Sequence, residues 1–343
     1  LFKRFAFVID YTLYLDETCD FADIVLPDVT HFERSAADNF WMGTPFPCMG
    51  LHITQPVVKP MYNGRVFWDV MMEISDRVGC LQDFYKILNN FLPNAPIELD
   101  KFHYWEDVCD HICRSASKTV LGKELTFEDL KKTGLFYKPV PAELKYRPSF
   151  YNGMRVPFYF NIMLEKRDEL KQKFDEYNVW EKVPKEFLEW LLSDYKPLPE
   201  YKPCPPLEEA EKSSDLLLAI CYRPPSSVFS LTQTNPLLVE VSLRDPRWIR
   251  IQIHEDAAKE RGIKDGDTIV VESRAGKITG IAHVTQKVHP KTIAIGSIYG
   301  LWAHPVSKGV GAHFNTLIPA EMEYNNPISC DLEHTVAVKV YKA

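Results

Sequence analysis

Apolar and polar residues alternate along the last third of the chain in the way expected of half-buried β-strands. Between Trp248 and Ile295 there are four such runs, separated by short polar segments: IRIQI, TIVVES, KITGIAHVT and TIAIG. A two-residue period places every second side chain on the same face of a strand. Asp265-Gly266 and Ala275-Gly276 supply turns, and DAAKERG predicts a short helix between the first two strands. The pattern therefore predicts a small β-barrel.

The first 80 residues show near-continuous apolar runs instead. Residues 2–10 (FKRFAFVID) and residues 21–27 (FADIVLP) are separated by a short polar segment. Such runs are typical of parallel strands that are covered on both faces. Residues 66–79 have apolar side chains at helical spacing and predict an amphipathic helix. Residues 32–60 are punctuated by glycine and proline, and we expect an ordered surface loop there, with Gly43, Pro45, Pro47, Gly50 and Pro56 as its breakers.

The middle of the chain predicts helices followed by a linker. Residues 84–194 are charged and aromatic with a helical period. Residues 195–209 (YKPLPEYKPCPPLEE) are dense in proline, so this stretch is predicted to be too constrained for a helix. The predicted domains are an α/β segment over 1–83, a helical region over 84–194, a proline-rich linker over 195–214 and a β-barrel over 215–343.

Composition narrows the class of protein. With 343 residues, 45% of them hydrophobic, the chain can form two or three domains. Its formal net charge of -7 argues against a nucleic-acid partner, which needs a basic face. No apolar run approaches the roughly 20 residues of a transmembrane helix. Because residue 1 is a leucine inside an apolar run and no leader precedes it, we expect the chain to begin inside something larger.

The eight cysteines are scattered and include no C-x-x-C pair. Free, buried thiols in a reducing compartment are expected, because disulfide frameworks belong mainly to small secreted domains. One cluster offers possible metal ligands: Cys109, His111 and Cys113. Residues four apart share a helix face and His111 lies off that face, so buried helix packing is the alternative to a metal site.

Four segments together resemble the carboxyl-terminal half of the molybdopterin oxidoreductases, the dimethyl-sulfoxide-reductase family. FVIDYTLYLDETCDFADIVLPDVTHFER resembles the family's first strand and its T-E-T-x-x-x-A-D-x-V-L-P segment, and PLPEY resembles its later proline segment. IHEDAAKERGIKDGDTIVVESRAGKI resembles its dinucleotide-binding barrel, while GAHFNTLIP and PISCDLEHTVAVKV resemble its closing motifs. The barrel motif also occurs in related barrels such as aspartate decarboxylase, so the first segment favours the oxidoreductases.

The resemblance implies an architecture and a set of cofactors. The fold would combine part of a Rossmann-like parallel α/β domain that binds a pterin dinucleotide, a helical connecting region, and a C-terminal double-psi β-barrel of the aspartate-decarboxylase-like type. Two molybdopterin guanine dinucleotides would hold molybdenum or tungsten. The metal ligand and a 4Fe-4S cluster are expected in a missing N-terminal half or in a catalytic partner chain, because no cysteine group has cluster-binding spacing.

The resemblance also carries expectations about partners and location. An electron-transfer subunit is a further expected partner, whereas no nucleic acid and no transmembrane segment are expected. A cytoplasmic location is expected, with the periplasm as the alternative, because no leader is visible.

In the barrel, the resemblance assigns cofactor contacts to polar side chains on three segments. They are Tyr222, Arg223, Ser226, Ser227, Thr232, Asn315, Glu333 and His334. A pterin dinucleotide requires many neutral donors and acceptors and a few ionic groups, which this set supplies. The alternatives are a surface salt bridge for Arg223 and a turn-forming role for Asn315.

Further expectations concern the N-terminal segment and the long loop over 296–326. Asp10 matches a strand-end residue of the family that faces a guanosine, and its carboxylate can accept hydrogen bonds from the N1–H and N2–H groups of guanine. The alternative is that Asp10 caps the segment that follows. Glu33 and Arg34 match another nucleotide contact, with a solvated ion pair as the alternative. His304 and His313 are candidates for lining a substrate funnel, or are histidines satisfied within a surface loop. The catalytic residues stay unassigned, and no metal ligand is predicted in this chain.

Three functions are compatible with these observations. In the first, the chain is the cofactor-binding portion or subunit of a molybdenum or tungsten oxidoreductase. In the second, it is a non-catalytic assembly or cofactor-chaperone subunit that keeps the fold. In the third, it is a self-contained double-psi barrel module. The third leaves residues 1–80 unexplained and supplies no nucleophile pair. The first is therefore favoured, with oxygen-atom, electron or hydroxyl transfer taking place at the metal.

Overall fold

The computed structural model describes residues 2–42, 48–141 and 159–343, and the chain divides into two compact units, Leu1–Arg155 and Val156–Ala343. Gly43, Pro45 and Pro47 of the predicted surface loop lie outside the described residues. Within these three ranges, no helix is both long enough and apolar enough to cross a membrane.

The first unit begins with two parallel strands, β1 (Ile9–Thr12) and β2 (Ile24–Pro27). Their parallel pairing confirms the prediction. The expectation that both faces are covered is wrong for the described residues, since Ile9 and Ile24 are 47% and 45% exposed. The reason is that the described sheet contains only these two strands. The predicted strand also begins late, because Phe2–Arg4 forms a 3-10 turn.

A three-stranded antiparallel sheet follows, with β4 (Cys48–Thr54) between β3 (Ala36–Met42) and β5 (Leu135–Pro139). The prediction of a surface loop over residues 32–60 is therefore wrong. Gly50 does not break the chain here but allows close strand pairing, because a Cβ atom at this position would lie 2.2 Å from the carbonyl oxygen of Phe136.

Four helices complete the described part of this unit: α1 (Phe67–Val78), α2 (Leu81–Asn89), α3 (Trp105–Leu121) and α4 (Phe127–Thr133). The amphipathic helix predicted over 66–79 is confirmed as α1. Cys109 and Cys113 on α3 are fully buried in the core beneath the sheet. Burial raises the pKa of the Cys113 thiol to about 12. Both cysteines therefore pack as apolar side chains. This packing matches buried helix packing, the alternative to a metal site at these residues.

The second unit begins with helices and then turns into the barrel. Its first helices are α5 (Asn161–Glu176), α6 (Val179–Lys182), α7 (Lys185–Leu192) and α8 (Pro205–Glu211). The prediction that residues 195–209 cannot form a helix is wrong from Pro205 onward. Pro205 and Pro206 occupy the first turn of α8, where a helix needs no backbone N–H, so proline is tolerated.

The predicted barrel is confirmed as a closed six-stranded sheet with the order β10-β6-β11-β8-β9-β7. Two pairs are parallel, β6 with β10 and β7 with β9, and the other pairs are antiparallel. The strands are β6 (Leu216–Tyr222), β7 (Ile251–His254), β8 (Thr268–Glu272), β9 (Lys277–Thr285), β10 (Thr292–Gly296) and β11 (Val336–Lys342).

Alternating side chains of these strands fill the barrel interior. Ile251, Ile253, Ile269 and Val271 have no accessible surface, as the two-residue period predicts. Two helices flank the strands, α9 (Pro236–Arg244) and the predicted short helix, α10 (Glu255–Glu260). The interior is therefore a packed core, and any binding surface of the barrel must come from the segments that leave its ends.

Candidate functional site

Strand register brings five segments of the chain to one end of the barrel. β6 and β10 finish together, with Gly296 opposite Tyr222, and β11 starts beside them, with Val336 opposite Ala219. The antiparallel β8–β9 hairpin turns at the same end, where β7 also begins. We call this surface the loop end of the barrel. It consists of residues 222–227, 248–250, 273–276, 296–300 and 333–335.

The eight predicted cofactor contacts of the barrel all belong to segments at or leading from the loop end. Thr232 and Asn315 lie in 3-10 helices, Ser230–Thr234 and Phe314–Leu317, and the others lie directly on loop-end segments. The structure therefore gathers side chains that are more than 100 residues apart in the sequence. Their roles in cofactor binding stay predictions.

Arg223 presents an exposed cation at this end. Its guanidinium carbon lies 4.5 Å from the centroid of the Phe229 ring, a cation–π contact. Within the described ranges, Arg223 forms no ion pair with a carboxylate. The structure therefore shows no salt bridge of the kind considered as an alternative, and the guanidinium is free to bind an anionic group of a ligand.

Two buried polar atoms near Arg223 lack hydrogen-bond partners. Gln233 is completely buried, and its Nε2 donates to the Ser227 Oγ at 3.2 Å. Neither its Oε1 nor the Ser226 Oγ has a partner among the described residues. A buried polar group left unpaired costs about 1–3 kcal/mol, so an ordered water or a ligand group is expected to pair with these atoms. Gln233 lies in the loop that is predicted to contact the cofactor, directly after Thr232, but it is not itself one of the predicted contacts.

Tyr222 has a structural role that the sequence does not reveal. Its hydroxyl accepts a hydrogen bond from the Gln252 Nε2 at 2.9 Å and donates to the Trp248 carbonyl at 3.2 Å. Burial raises the pKa of this phenol. Both capacities of the hydroxyl are in use, so Tyr222 fixes the start of β7 against the end of β6.

Replacing Tyr222 with phenylalanine is expected to lower the free energy of unfolding by about 1–3 kcal/mol, because the Gln252 amide loses its acceptor. Urea denaturation measures the change. Tyr201→Phe is the matched control, since Tyr201 is highly exposed and its variant should change stability by less than about 0.5 kcal/mol. Equal stabilities of the two variants would show that the Tyr222 hydroxyl does not hold the loop end together.

The segment that carries Asn315 is fixed by the barrel core and by the β8–β9 hairpin. Phe314 and Leu317 are completely buried in the barrel core. The Ser273 Oγ donates to the Leu317 carbonyl at 2.7 Å, and a Cβ atom on Gly276 would lie 2.7 Å from the Thr316 carbonyl oxygen. The β8–β9 hairpin therefore supports Asn315 through tight backbone contact.

The Asn315 side chain is not used by the described fold. The residue is exposed, and its side chain makes no hydrogen bond to any residue in the described part of the chain. The turn at this position uses the backbone, where the Ile318 N–H donates to the Asn315 carbonyl. A turn-forming role therefore does not account for the side chain, which remains available to a ligand.

Glu333 and His334 differ in how far the fold already uses them. The Glu333 carboxylate accepts a hydrogen bond from the Thr335 N–H at 3.0 Å. It also lies beside the Cys204 thiol, whose pKa is raised by burial and further by this carboxylate. His334 is exposed. Glu333 thus shapes the entry into β11, and His334 is the more accessible member of the pair.

The two funnel candidates lie in the 296–326 loop with partners from the same loop. The Val306 N–H donates to the His304 Nδ1 at 3.3 Å. The His313 Nδ1 lies 3.4 Å from the Thr316 Oγ1, and its ring is 6.3 Å from that of Trp302 in an edge-on arrangement. These contacts match the alternative of histidines satisfied within their loop, and the funnel role stays a prediction.

In the first unit, Asp10 lies within β1, and its Oδ2 accepts from the Cys19 Sγ at 3.1 Å. The alternative that Asp10 caps the following segment is wrong, because Asp16 accepts from the Thr18 N–H at 2.9 Å and fills that role. The half-buried Asp10 carboxylate keeps a free oxygen for a ligand, and its contact with a guanosine stays a prediction.

Glu33 holds the backbone of the first unit. Its two carboxylate oxygens accept from the Thr30 and Met61 N–H groups, each at 2.7 Å, and these bonds keep the pKa of the carboxyl below its usual value. It forms no ion pair with the adjacent Arg34 in the described structure. The nucleotide contact predicted for both residues stays a prediction, with Arg34 the more accessible of the two.

Comparison with known proteins gives two family-model matches. Residues 2–77 match the Molybdopterin oxidoreductase model, and residues 217–326 match the Molydopterin dinucleotide binding domain. The second match includes the loop-end segments up to the one that carries Asn315.

Two curated relatives align with nearly the whole chain. The Thiosulfate reductase molybdopterin-containing subunit PhsA of Salmonella typhimurium is 24% identical over 340 residues, covering 98% of this chain and 40% of its own length. Dimethyl sulfoxide reductase DmsA of Escherichia coli is 22% identical over 350 residues, covering 99% and 38%. The chain thus spans about two fifths of the length of these relatives.

A solved structure shares the fold. Acetylene Hydratase from Pelobacter acetylenicus matches with a TM-score of 0.63 at 16% sequence identity, and the alignment covers 100% of this chain and 41% of that one. The predicted combination of an α/β segment, helices and a C-terminal barrel is confirmed.

Proposed function

Because the chain belongs to the molybdopterin oxidoreductases, we propose that it is the cofactor-binding carboxyl-terminal portion of a molybdenum or tungsten enzyme. In this proposal two molybdopterin guanine dinucleotides hold the metal, and oxygen-atom, electron or hydroxyl transfer occurs there. The chain contributes the walls of the cofactor site, and polypeptide outside it supplies the metal ligand.

The observation that carries the proposal is the donor and acceptor set of the loop end. A pterin edge and a pyrophosphate need neutral hydrogen-bonding groups and at least one cation. The loop end offers the unpaired guanidinium of Arg223 and the free amide of Asn315. These residues fit the cofactor in both charge and hydrogen-bonding capacity.

Each group has a distinct task in this proposal. Arg223 would bind the pyrophosphate, because guanidinium groups pair with phosphates. The exposed Asn315 amide would hold an edge of the pterin ring, and Asp10 would accept from the guanine edge of a cofactor. A bound cofactor would supply the redox chemistry, and the side chains of this chain would bind and orient it.

Exposed apolar side chains support the expected polypeptide partner. Phe5, Phe7, Ile9, Ile24 and Val25 are exposed along and before β1 and β2. Ile24 and Val25 are neighbours in β2 and lie on opposite faces of the sheet, so both faces carry exposed apolar side chains of the kind found at protein interfaces. We propose that the polypeptide with the 4Fe-4S cluster and the metal ligand covers these side chains, whether as an N-terminal half or as a partner chain. An electron-transfer subunit is a further partner of the assembled enzyme.

The experiment is to produce this chain together with the polypeptide that completes the enzyme, in a host that makes molybdopterin guanine dinucleotide. Elemental analysis, guanine-nucleotide release and pterin fluorescence are then measured on the folded complex. Two pterins and two guanine nucleotides per molybdenum or tungsten atom are expected. A folded complex that contains neither pterin nor guanine nucleotide would contradict the proposal.

A further inference from the structure

Three side chains able to bind a metal meet in the first unit, between the segment that precedes α3 and α3 itself. The Glu98 Oε2 lies 3.4 Å from the His103 Nε2 and 3.6 Å from the His111 Nε2. One ligand atom from each residue lies within 4.8 Å of the other two. We call this group the Glu98–His103–His111 cluster. None of its members belongs to the loop end or to the predicted cofactor contacts.

The spacing of the three atoms suits a tetrahedral metal ion. Zinc–nitrogen and zinc–oxygen bonds of about 2.0–2.1 Å place neighbouring ligands of a tetrahedron about 3.3–3.4 Å apart. The two separations between the carboxylate and the imidazoles, 3.4 Å and 3.6 Å, match this spacing to within a few tenths of an ångström. The third separation, between the two histidines, is at most 4.8 Å.

His103 brings a buried nitrogen without a hydrogen-bond partner. The residue is 8% exposed, and its Nε2 has no hydrogen-bond partner among the described residues, because its contact with Glu98 lacks hydrogen-bond geometry. Tyr85 holds the His103 ring in place. The His103 N–H donates to the Tyr85 hydroxyl at 3.0 Å, and the two rings meet edge to face at 5.7 Å. A bound ion would satisfy this nitrogen.

His111 is oriented as a metal ligand through its second nitrogen. The His111 Nδ1 lies 3.0 Å from the Ala95 carbonyl oxygen, an acceptor that fixes the proton on Nδ1. The lone pair is then on Nε2, which faces Glu98 and His103. A backbone carbonyl in this role is a common outer-shell partner of metal-bound histidines.

We propose that Glu98, His103 and His111 form a binding site for a divalent transition-metal ion of the zinc type, with water as its fourth ligand. Two imidazoles and one carboxylate favour zinc and its neighbours over magnesium and calcium, which prefer all-oxygen sites. Glu98 is half exposed and leaves a route for the ion to enter. The ion would join the segment before α3 to the helix itself, and the site rests on neither the barrel nor the molybdopterin proposal.

The competing explanation is an ion pair between Glu98 and protonated imidazoles. The two explanations differ in their response to metal. A metal site takes up one ion per chain. An ion pair takes up none.

The test is a titration of the metal-stripped full chain with Zn²⁺ by calorimetry and with Co²⁺ by absorption spectroscopy. Glu98→Gln and His111→Gln are each expected to raise the dissociation constant for Zn²⁺ by at least about tenfold, the loss that even an outer-shell change causes. Glu98→Gln alters a half-exposed side chain, so this variant should fold. Near-ultraviolet circular dichroism checks the fold of His111→Gln.

Matched controls separate this site from others on the same chain. Asp16→Asn removes a ligand from a second group that could hold an ion, Asp10, Asp16 and Cys19, and it should leave one Zn²⁺ equivalent intact. His289→Gln removes an exposed imidazole from the barrel unit and should have no effect. The proposal is overturned if the folded chain takes up no Zn²⁺, or if the Glu98→Gln/His111→Gln double variant binds Zn²⁺ as tightly as the unaltered chain.

Discussion

Replacing Arg223 with glutamine is expected to weaken the binding of a molybdopterin dinucleotide by about 2–5 kcal/mol, which raises its dissociation constant about 30-fold or more. The reason is that the variant would leave the negative charge of the pyrophosphate without its cationic partner in the desolvated complex. Arg223 is an exposed cation of the loop end and makes no ion pair within the described ranges, whereas the other exposed cation there, Arg274, pairs with carboxylates such as Glu321. The fold itself should change little. Among the described residues the variant loses the contact with Phe229, and exposed cation–π contacts contribute about 0.5–1 kcal/mol.

The measurement is the ratio of pterin to protein that remains in the assembled enzyme after prolonged dialysis. Arg244→Gln is the matched control, because Arg244 is an exposed arginine of the same unit that pairs with Glu240 on α9. Arg244→Gln should retain the full amount of pterin. If Arg223→Gln retains as much pterin as this control, Arg223 does not bind the cofactor.

Replacing Gly300 with alanine is expected to destabilise the barrel unit by about 2–6 kcal/mol, combining left-handed backbone strain with overpacking. Gly300 has a φ of +80°. A Cβ atom there would lie 2.2 Å from the His313 nitrogen and 2.6 Å from the Ala312 carbonyl carbon. These are backbone atoms and cannot move aside as a flexible side chain would. The displaced segment leads directly to Asn315, so cofactor retention should fall as well.

Gly309→Ala is the control for this prediction. Gly309 lies in the same loop with a φ of +78°, but a Cβ atom there would have no neighbour within 4 Å. Only the backbone strain of about 1–2 kcal/mol applies. Urea denaturation of both variants separates strain from crowding. Equal losses of stability in the two variants would mean that Gly300 is not packed against the 312–313 backbone.

The barrel could be predicted because its strands and turns are identified by short, local sequence patterns. Alternation in IRIQI and TIVVES gives the buried face directly, and Asp265-Gly266 gives the turn. The β3–β4 hairpin was not predictable from the same rules. Gly50 is indistinguishable in sequence from a loop glycine, and its role depends on Phe136, which lies 86 residues away in the chain. Long-range strand pairing therefore decides what a glycine does.

The candidate site likewise contains residues that the sequence predicts and contacts that only the structure shows. Arg223 and Asn315 are found because the family motif places them, and the structure leaves both side chains available. Tyr222 belongs to the same motif, but its hydroxyl is committed to Gln252 and Trp248, contacts that no local pattern contains. Glu98 and His103 carry no sequence signal at all. They approach His111 only because the segment before α3 folds back on that helix.

Amide hydrogen exchange of the assembled enzyme, with and without its molybdopterin cofactor, tests the central claim most directly. The claim predicts slower exchange on cofactor binding at residues 223–234, 313–317 and 333–335. It predicts no change in the turns at the opposite end of the barrel, residues 264–267 and 286–291. Unchanged exchange at the loop end, or protection confined to the opposite end, would contradict the assignment of the loop end as the cofactor-binding surface.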